Sequence, residues 1–151
     1  MIAFVSVSPQ TRLQFQAFKE VFALKGREGF FPDTSGEDVE SVVKVCDTAH
    51  IIFIELGSQF SGHFVRAIDE SKRVILYYNH PKNPIYVQFA ISNVKNKEIA
   101  FASRESVLEE IGEIEELEKF KQIDLEYHPE ESVSADLPWV RALISFIEGV
   151  K

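Results

Sequence analysis

Residues 46–78 read CDTAHIIFIELGSQFSGHFVRAIDESKRVILYY. Ile51 to Ile54 and Val74 to Tyr78 are apolar runs rich in β-branched and aromatic residues, each too short for a helix, so both read as strands buried on both faces. Between them Phe64, Val65 and Ile68 recur at the helical period, the mark of an amphipathic helix. Two strands joined through a helix form a unit whose strands run parallel, with a right-handed crossover.

The same alternation continues on both sides. Toward the amino terminus, Ile2 to Val7 reads as a strand and Phe15, Phe18, Val21 and Phe22 as the apolar face of a helix. Gly29 to Phe31 reads as a short strand ending at Pro32, and Val39, Val42, Val43 and Cys46 as a second helix face. Toward the carboxyl terminus, Ile99 to Ala102 supplies a further strand. Thr34 with Glu37, and Ser35 with Asp38, have the capping-box spacing, Thr11 stands where it can cap the first helix, and Gly26 closes that helix. Strand alternating with helix five times predicts a three-layer, Rossmann-like α/β domain with a mostly parallel five-stranded sheet in flavodoxin-like order.

Beyond Ala102, Leu108, Ile111, Ile114 and Leu117 line one stripe of an otherwise acidic stretch, which predicts a single helix over 105–120. Residues 120–127 alternate well enough for an added edge strand. Residues 128–136 are polar and read as a surface loop. Val140, Leu143, Ile144 and Ile147 mark a last helix over 137–150. The chain reads as one domain over 1–151, with the sheet core in 1–103 and the acidic helix, edge strand and final helix in 104–151.

With 151 residues, 45% hydrophobic and 26% charged, the composition excludes a disordered, collagen-like or coiled-coil chain. No uncharged apolar run reaches the roughly 18 residues of a membrane-spanning helix, and Met1 to Gln10 lacks a signal peptide's features. A single cysteine fits a reducing compartment, and a cytoplasmic location is expected. The net charge is −8, and it is concentrated. Residues 105–131 hold eleven acidic side chains against two lysines, a net −9, and leave the rest of the chain at +1. With no basic stripe, duplex nucleic acid is not an expected partner.

In open parallel sheets, ligands bind beyond the carboxyl ends of the strands, where the strand order reverses. The loops expected there are Ser8-Pro9-Gln10 after the first strand, Glu55 to Gly62 after the third, and Asn79-His80 after the fourth. Gly57 and Gly62 would let backbone approach a ligand, Ser58 and Ser61 supply hydroxyls, and the following helix opens with unpaired N–H groups suited to an anion. The same residues suit a plain turn with Ser61 as a helix cap. His63 lies early in that helix. His50, at the amino edge, reads as structural. The four histidines, His128 included, make no HxxxH or HxH pattern, so no metal site is expected. Cys46, on an apolar helix face, reads as a buried inert thiol.

The stretch 46–78 resembles the central unit of the nucleoside 2-deoxyribosyltransferase-like proteins. Ala49-His50 stands where that family has Ala-Asp, Ile51 to Leu56 matches its strand and Gly62 its loop glycine. Ser8-Pro9 resembles its opening Gly-Pro turn, and residues 101–110 its last strand and helix. The resemblance implies a nucleoside or nucleotide ligand and no further cofactor. It does not carry over the chemistry. The family's nucleophilic glutamate falls on Arg66 and its second carboxylate near Val42, and a guanidinium cannot attack an anomeric carbon.

Three readings follow. The first is a nucleoside- or nucleotide-binding domain without a covalent step, using Ser8, Gln10, Glu55, Gly57, Ser58, Ser61, Gly62, His63, Arg66, Asn79 and His80. Within it, Arg66 either pairs a phosphate or snorkels. The second is an active N-glycosidase or deoxyribosyltransferase with Glu55 as its catalytic carboxylate. The third is a Toll/interleukin-receptor-like interaction module that uses the acidic segment. Self-association into a homo-oligomer is open in all three.

Overall fold

The computed structural model describes residues 1–36, 38–79, 84–112, 114–127 and 136–149. Its strands are β1 (Ile2–Val5), β2 (Gly29–Phe30), β3 (Ile51–Glu55), β4 (Arg73–Tyr78), β5 (Glu98–Phe101) and β6 (Lys121–Asp124). Its helices are α1 (Pro9–Leu24), α2 (Val39–Val45), α3 (Gln59–Ala67), α4 (Pro84–Asn93), α5 (Arg104–Ile111) and α6 (Pro138–Glu148), with short 3-10 turns at Cys46–Thr48 and Glu115–Lys119.

All six strands are parallel, in the order β2-β1-β3-β4-β5-β6. The expected three-layer, Rossmann-like α/β fold is present, with one strand more than five because the edge strand β6 joins β5. Side chains alternate strictly between the layers. Ala3, Val5, Ile52, Ile54, Val74, Leu76 and Tyr78 share a core with α2, α3, α4 and α5. Ile2, Phe4, Ile51, Phe53, Ile75 and Tyr77 share the other with α1 and α6. That second core is aromatic: the Phe4 and Phe53 rings stack 5.4 Å apart, and Phe18 meets Tyr77 edge-on at 5.3 Å. Gly29 belongs to it by exclusion, since a Cβ there would lie 2.6 Å from a Phe4 ring carbon.

Several boundaries differ from the sequence reading, each for a local reason. β1 ends at Val5, not Val7, because the Val7 and Ser8 N–H groups turn toward Glu55. α1 is capped by Ser8 rather than Thr11: proline at the first helical position fixes the start, and the Ser8 hydroxyl accepts from the Thr11 N–H at 3.3 Å. Gly26, at φ +75°, does close that helix.

α2 starts at Val39 after Asp38, so Ser35 does not cap it, and Glu37, the expected partner of Thr34, lies outside the described residues. Thr34 and Ser35 are used earlier in the loop: the Thr34 hydroxyl donates to the Ser6 carbonyl at 2.8 Å, and the Ser35 N–H donates to Asp33 at 2.9 Å. The acidic stretch is not one helix over 105–120. α5 stops before Gly112, whose φ of +79° leaves the helical region, and a 3-10 turn resumes at Glu115. Spacing by threes is the 3-10 period, and it drifts off a single face of an α-helix. α6 covers β6 with Trp139, Val140, Leu143, Phe146 and Ile147 buried, close to the expected span. No described helix is long and apolar enough to cross a membrane.

Candidate functional site

Strand order reverses between β1 and β3, which places the crevice where the loops after those strands leave the sheet. Among the described residues, the buried side chains classed as polar or charged are Ser6, Thr11, Gln14, Glu55 and Ser61. All five lie at this carboxyl edge, on or just after the ends of β1 and β3, in the first two turns of α1 or in the first turn of α3.

Glu55 ends β3 and is 2% exposed. Its Oε1 accepts from the Val7 N–H at 2.8 Å and the Ser8 N–H at 3.1 Å, and its Oε2 accepts from the Ser8 hydroxyl at 2.8 Å. The carboxylate thus sits at the amino terminus of α1, where the helix dipole and free N–H groups favour an anion. It bolts the loop after β1 to β3.

Beside it runs a directed chain of hydrogen bonds. The Tyr77 hydroxyl donates to Gln14 Oε1, Gln14 Nε2 donates to Asn79 Oδ1 at 3.1 Å, and Asn79 Nδ2 donates to Thr11 Oγ1 at 3.3 Å. Tyr77 pairs with Glu55 in the β3–β4 register, so the two lie on the same side of the sheet. Burial first, then the neighbouring Tyr127 and Glu55, hold the Tyr77 hydroxyl protonated well above the usual tyrosine range.

Gly57, at φ +111°, makes the turn out of β3 that an L side chain would strain. Ser58 and Ser61 form a reciprocal capping box: the Ser61 N–H donates to Ser58 Oγ at 3.1 Å and the Ser58 N–H to Ser61 Oγ at 3.2 Å. Their hydroxyls are committed to the helix start, with Ser61 buried and Ser58 half-buried. Gly62 serves packing, because a Cβ there would lie 2.6 Å from the Phe89 ring on α4.

The structure therefore brings Ser8, Glu55, Gly57, Ser58, Ser61 and Asn79 together at one edge. Gln10 is exposed in the first turn of α1. His63 is exposed on α3 and meets Phe89 edge-on at 5.3 Å. Arg66 is exposed in the last turn of α3, at the helix end opposite the crevice, where a cation suits the dipole. His80 lies outside the described residues. Cys46 is buried in the 3-10 turn after α2, and burial pushes its thiol up to about 11.

Sequence reasoning missed Thr11, Gln14, Tyr77 and Arg12. Thr11 and Gln14 carried a signal, since the helical period puts both on the buried face that continues through Phe15, Phe18 and Phe22. Arg12 lies 4.6 Å over the Phe31 ring and, with Ser6, Val7, Ser8, Pro9 and Thr34, lines an open recess of about 230 Å3. Among the described residues, no three His, Cys, Asp or Glu side chains group as metal ligands. Comparison of the chain with protein-family models, with curated proteins and with solved structures yields no match.

Proposed function

We propose that this domain binds a nucleoside or nucleotide at the carboxyl edge, across the loops after β1 and β3, without forming a covalent intermediate. The observation that carries the reading is the position and commitment of Glu55. It stands at the switch point, buried, with both oxygens accepting from the loop after β1. A carboxylate held by three donors is a poor nucleophile, and it fills the α1 amino terminus that a phosphate would otherwise take. The groups left for a ligand are the rims: Arg12 and Gln10 on α1, and the backbone of Gly57, Gln59 and Phe60 at the start of α3. A nucleoside, or a nucleotide whose phosphate reaches the α3 side, suits that arrangement.

The test is a thermal-shift screen of the full chain against nucleosides, nucleoside mono- and diphosphates and dinucleotides. The expected result is saturable stabilisation by at least one of them, rising with ligand concentration as mass action requires. No shift at millimolar ligand removes the proposal. Release of free base from a nucleoside, abolished in Glu55→Gln, would instead favour the glycosidase reading.

A further inference from the structure

Among the described helices, α4 is the one whose residues, Pro84 to Asn93, include no charged side chain, and its apolar side chains are not confined to one face. Val87, Ala90 and Ile91 face the sheet and are buried. Ile85, Gln88 and Ser92 face outward and, with half-buried Phe89, whose ring packs toward α3, line a recess of about 560 Å3, with Ile85 73% exposed. A helix at a protein surface ordinarily turns charge outward, and one apolar all round is covered on both sides.

The two flanks of this recess differ in charge. On one side lies α3, where His63 touches Phe89 and exposed Arg66 follows one turn later. On the other lies the 3-10 turn, where Gln88 donates to Glu116 at 2.9 Å and exposed Glu115 and Glu118 flank it, with Lys119 at the end. We propose that a second copy of this chain covers the outer face of α4, giving a twofold-symmetric dimer. The charges choose the axis. A twofold axis running along α4 lays the α3 flank of each copy over the acidic turn of the other, whereas an axis across α4 sets α3 against α3 and acid against acid. The first pairs Arg66 with the partner's carboxylates twice over, as an isologous interface requires.

Sedimentation velocity of the full chain tests this, with circular dichroism to verify the fold of each variant. The wild type is expected to dimerise, less tightly at high salt. Ile85→Arg and Ser92→Arg, both at exposed positions, are expected to be monomeric, while Leu24→Arg, equally exposed on α1, stays dimeric. Arg66→Glu and Glu116→Arg should each weaken the dimer by roughly tenfold or more through two like-charge contacts. An equimolar mixture of those two variants should recover it, because both crossed pairs are then complementary. A wild type that stays monomeric up to its solubility limit overturns the proposal. So does a dimer that survives both Ile85→Arg and Ser92→Arg, and failure of the mixture to recover association overturns the axis.

Discussion

The two edges of the sheet are finished in opposite ways. At the amino edge the ends are tied by long cations: Arg73 forks onto Glu98 at 2.7 to 3.1 Å and also donates to the carbonyls of Phe146 and Ile147 at 2.8 and 2.6 Å. Lys72 reaches the carbonyls of Asp47 and Ala49 in the same region. At the carboxyl edge around the switch point the ties are short, buried and largely neutral, centred on one carboxylate, Glu55, while at the far strand the exposed Asp124 carboxylate accepts from the Arg104 and Glu126 N–H groups. Helix direction explains the contrast. In a parallel sheet, helices finish at the amino edge, offering unpaired carbonyls, and start at the carboxyl edge, offering unpaired N–H groups. Donors with reach suit the first and compact acceptors the second. Only the second leaves a floor of ordered polar groups beneath an open crevice.

The contrast predicts that the carboxyl edge is the less forgiving of the two. Glu55→Ala removes the acceptor of two N–H groups and a hydroxyl at a site closed to water, and is expected to destabilise by about 3–4 kcal/mol. Chemical denaturation measures it, and proteolysis between 6 and 12 should quicken as the loop is released. A loss under 1 kcal/mol would mean that Glu55 does not organise the edge.

Arg73→Ala should cost less, about 2–3 kcal/mol, because the Arg73 and Glu98 side chains are 29% and 15% exposed and water takes over part of their hydrogen bonding. The damage should also be local, with amide exchange quickening in the last turn of α6 and at the start of β4 and β5. Equal or greater loss than in Glu55→Ala would reverse the ranking of the two edges.

Much of this plan was legible from residues alone. The strands announced themselves as apolar runs, and the switch point followed from their order, so the placement of Glu55, Gly57, Ser58 and Asn79 at one edge needed no coordinates. What their side chains do there was not legible. Whether Ser61 caps a helix or faces a ligand, and whether Glu55 is open or locked, depends on angles between elements that lie 47 residues apart in sequence, as Ser8 and Glu55 do. Helix α4 escaped periodicity because an evenly apolar helix has no face to detect. The break at Gly112 was hidden because a run of hydrophobic threes over so few turns reads as one stripe, although three is the 3-10 period and not the α-helical one. Arg66 marks a further boundary: sequence put it on the right helix, while direction along that helix put it at the wrong end for the crevice.

The smallest effect bears most directly on the crevice floor. Tyr77 starts a chain in which each amide has one orientation: its hydroxyl gives to Gln14, Gln14 gives to Asn79, and Asn79 gives to Thr11. Tyr77→Phe leaves Gln14 Oε1 without its donor and should cost about 1 kcal/mol at neutral pH. The larger signature is in alkali. Tyr77 holds its proton in the fold well above the ordinary value of 10.0, so the folded state binds more protons than the unfolded state once pH passes that value. The stabilisation is complete below it and is lost as pH rises toward the folded value. Cys46, raised from 9.0 to about 11, adds a loss of the same sign beginning lower, and it is common to both proteins. Wild type and Tyr77→Phe should therefore converge in urea midpoint between about pH 8 and about pH 11, the variant declining less. Parallel decline would show that Tyr77 titrates freely, and that the carboxyl edge is wetter than its hydrogen bonds imply.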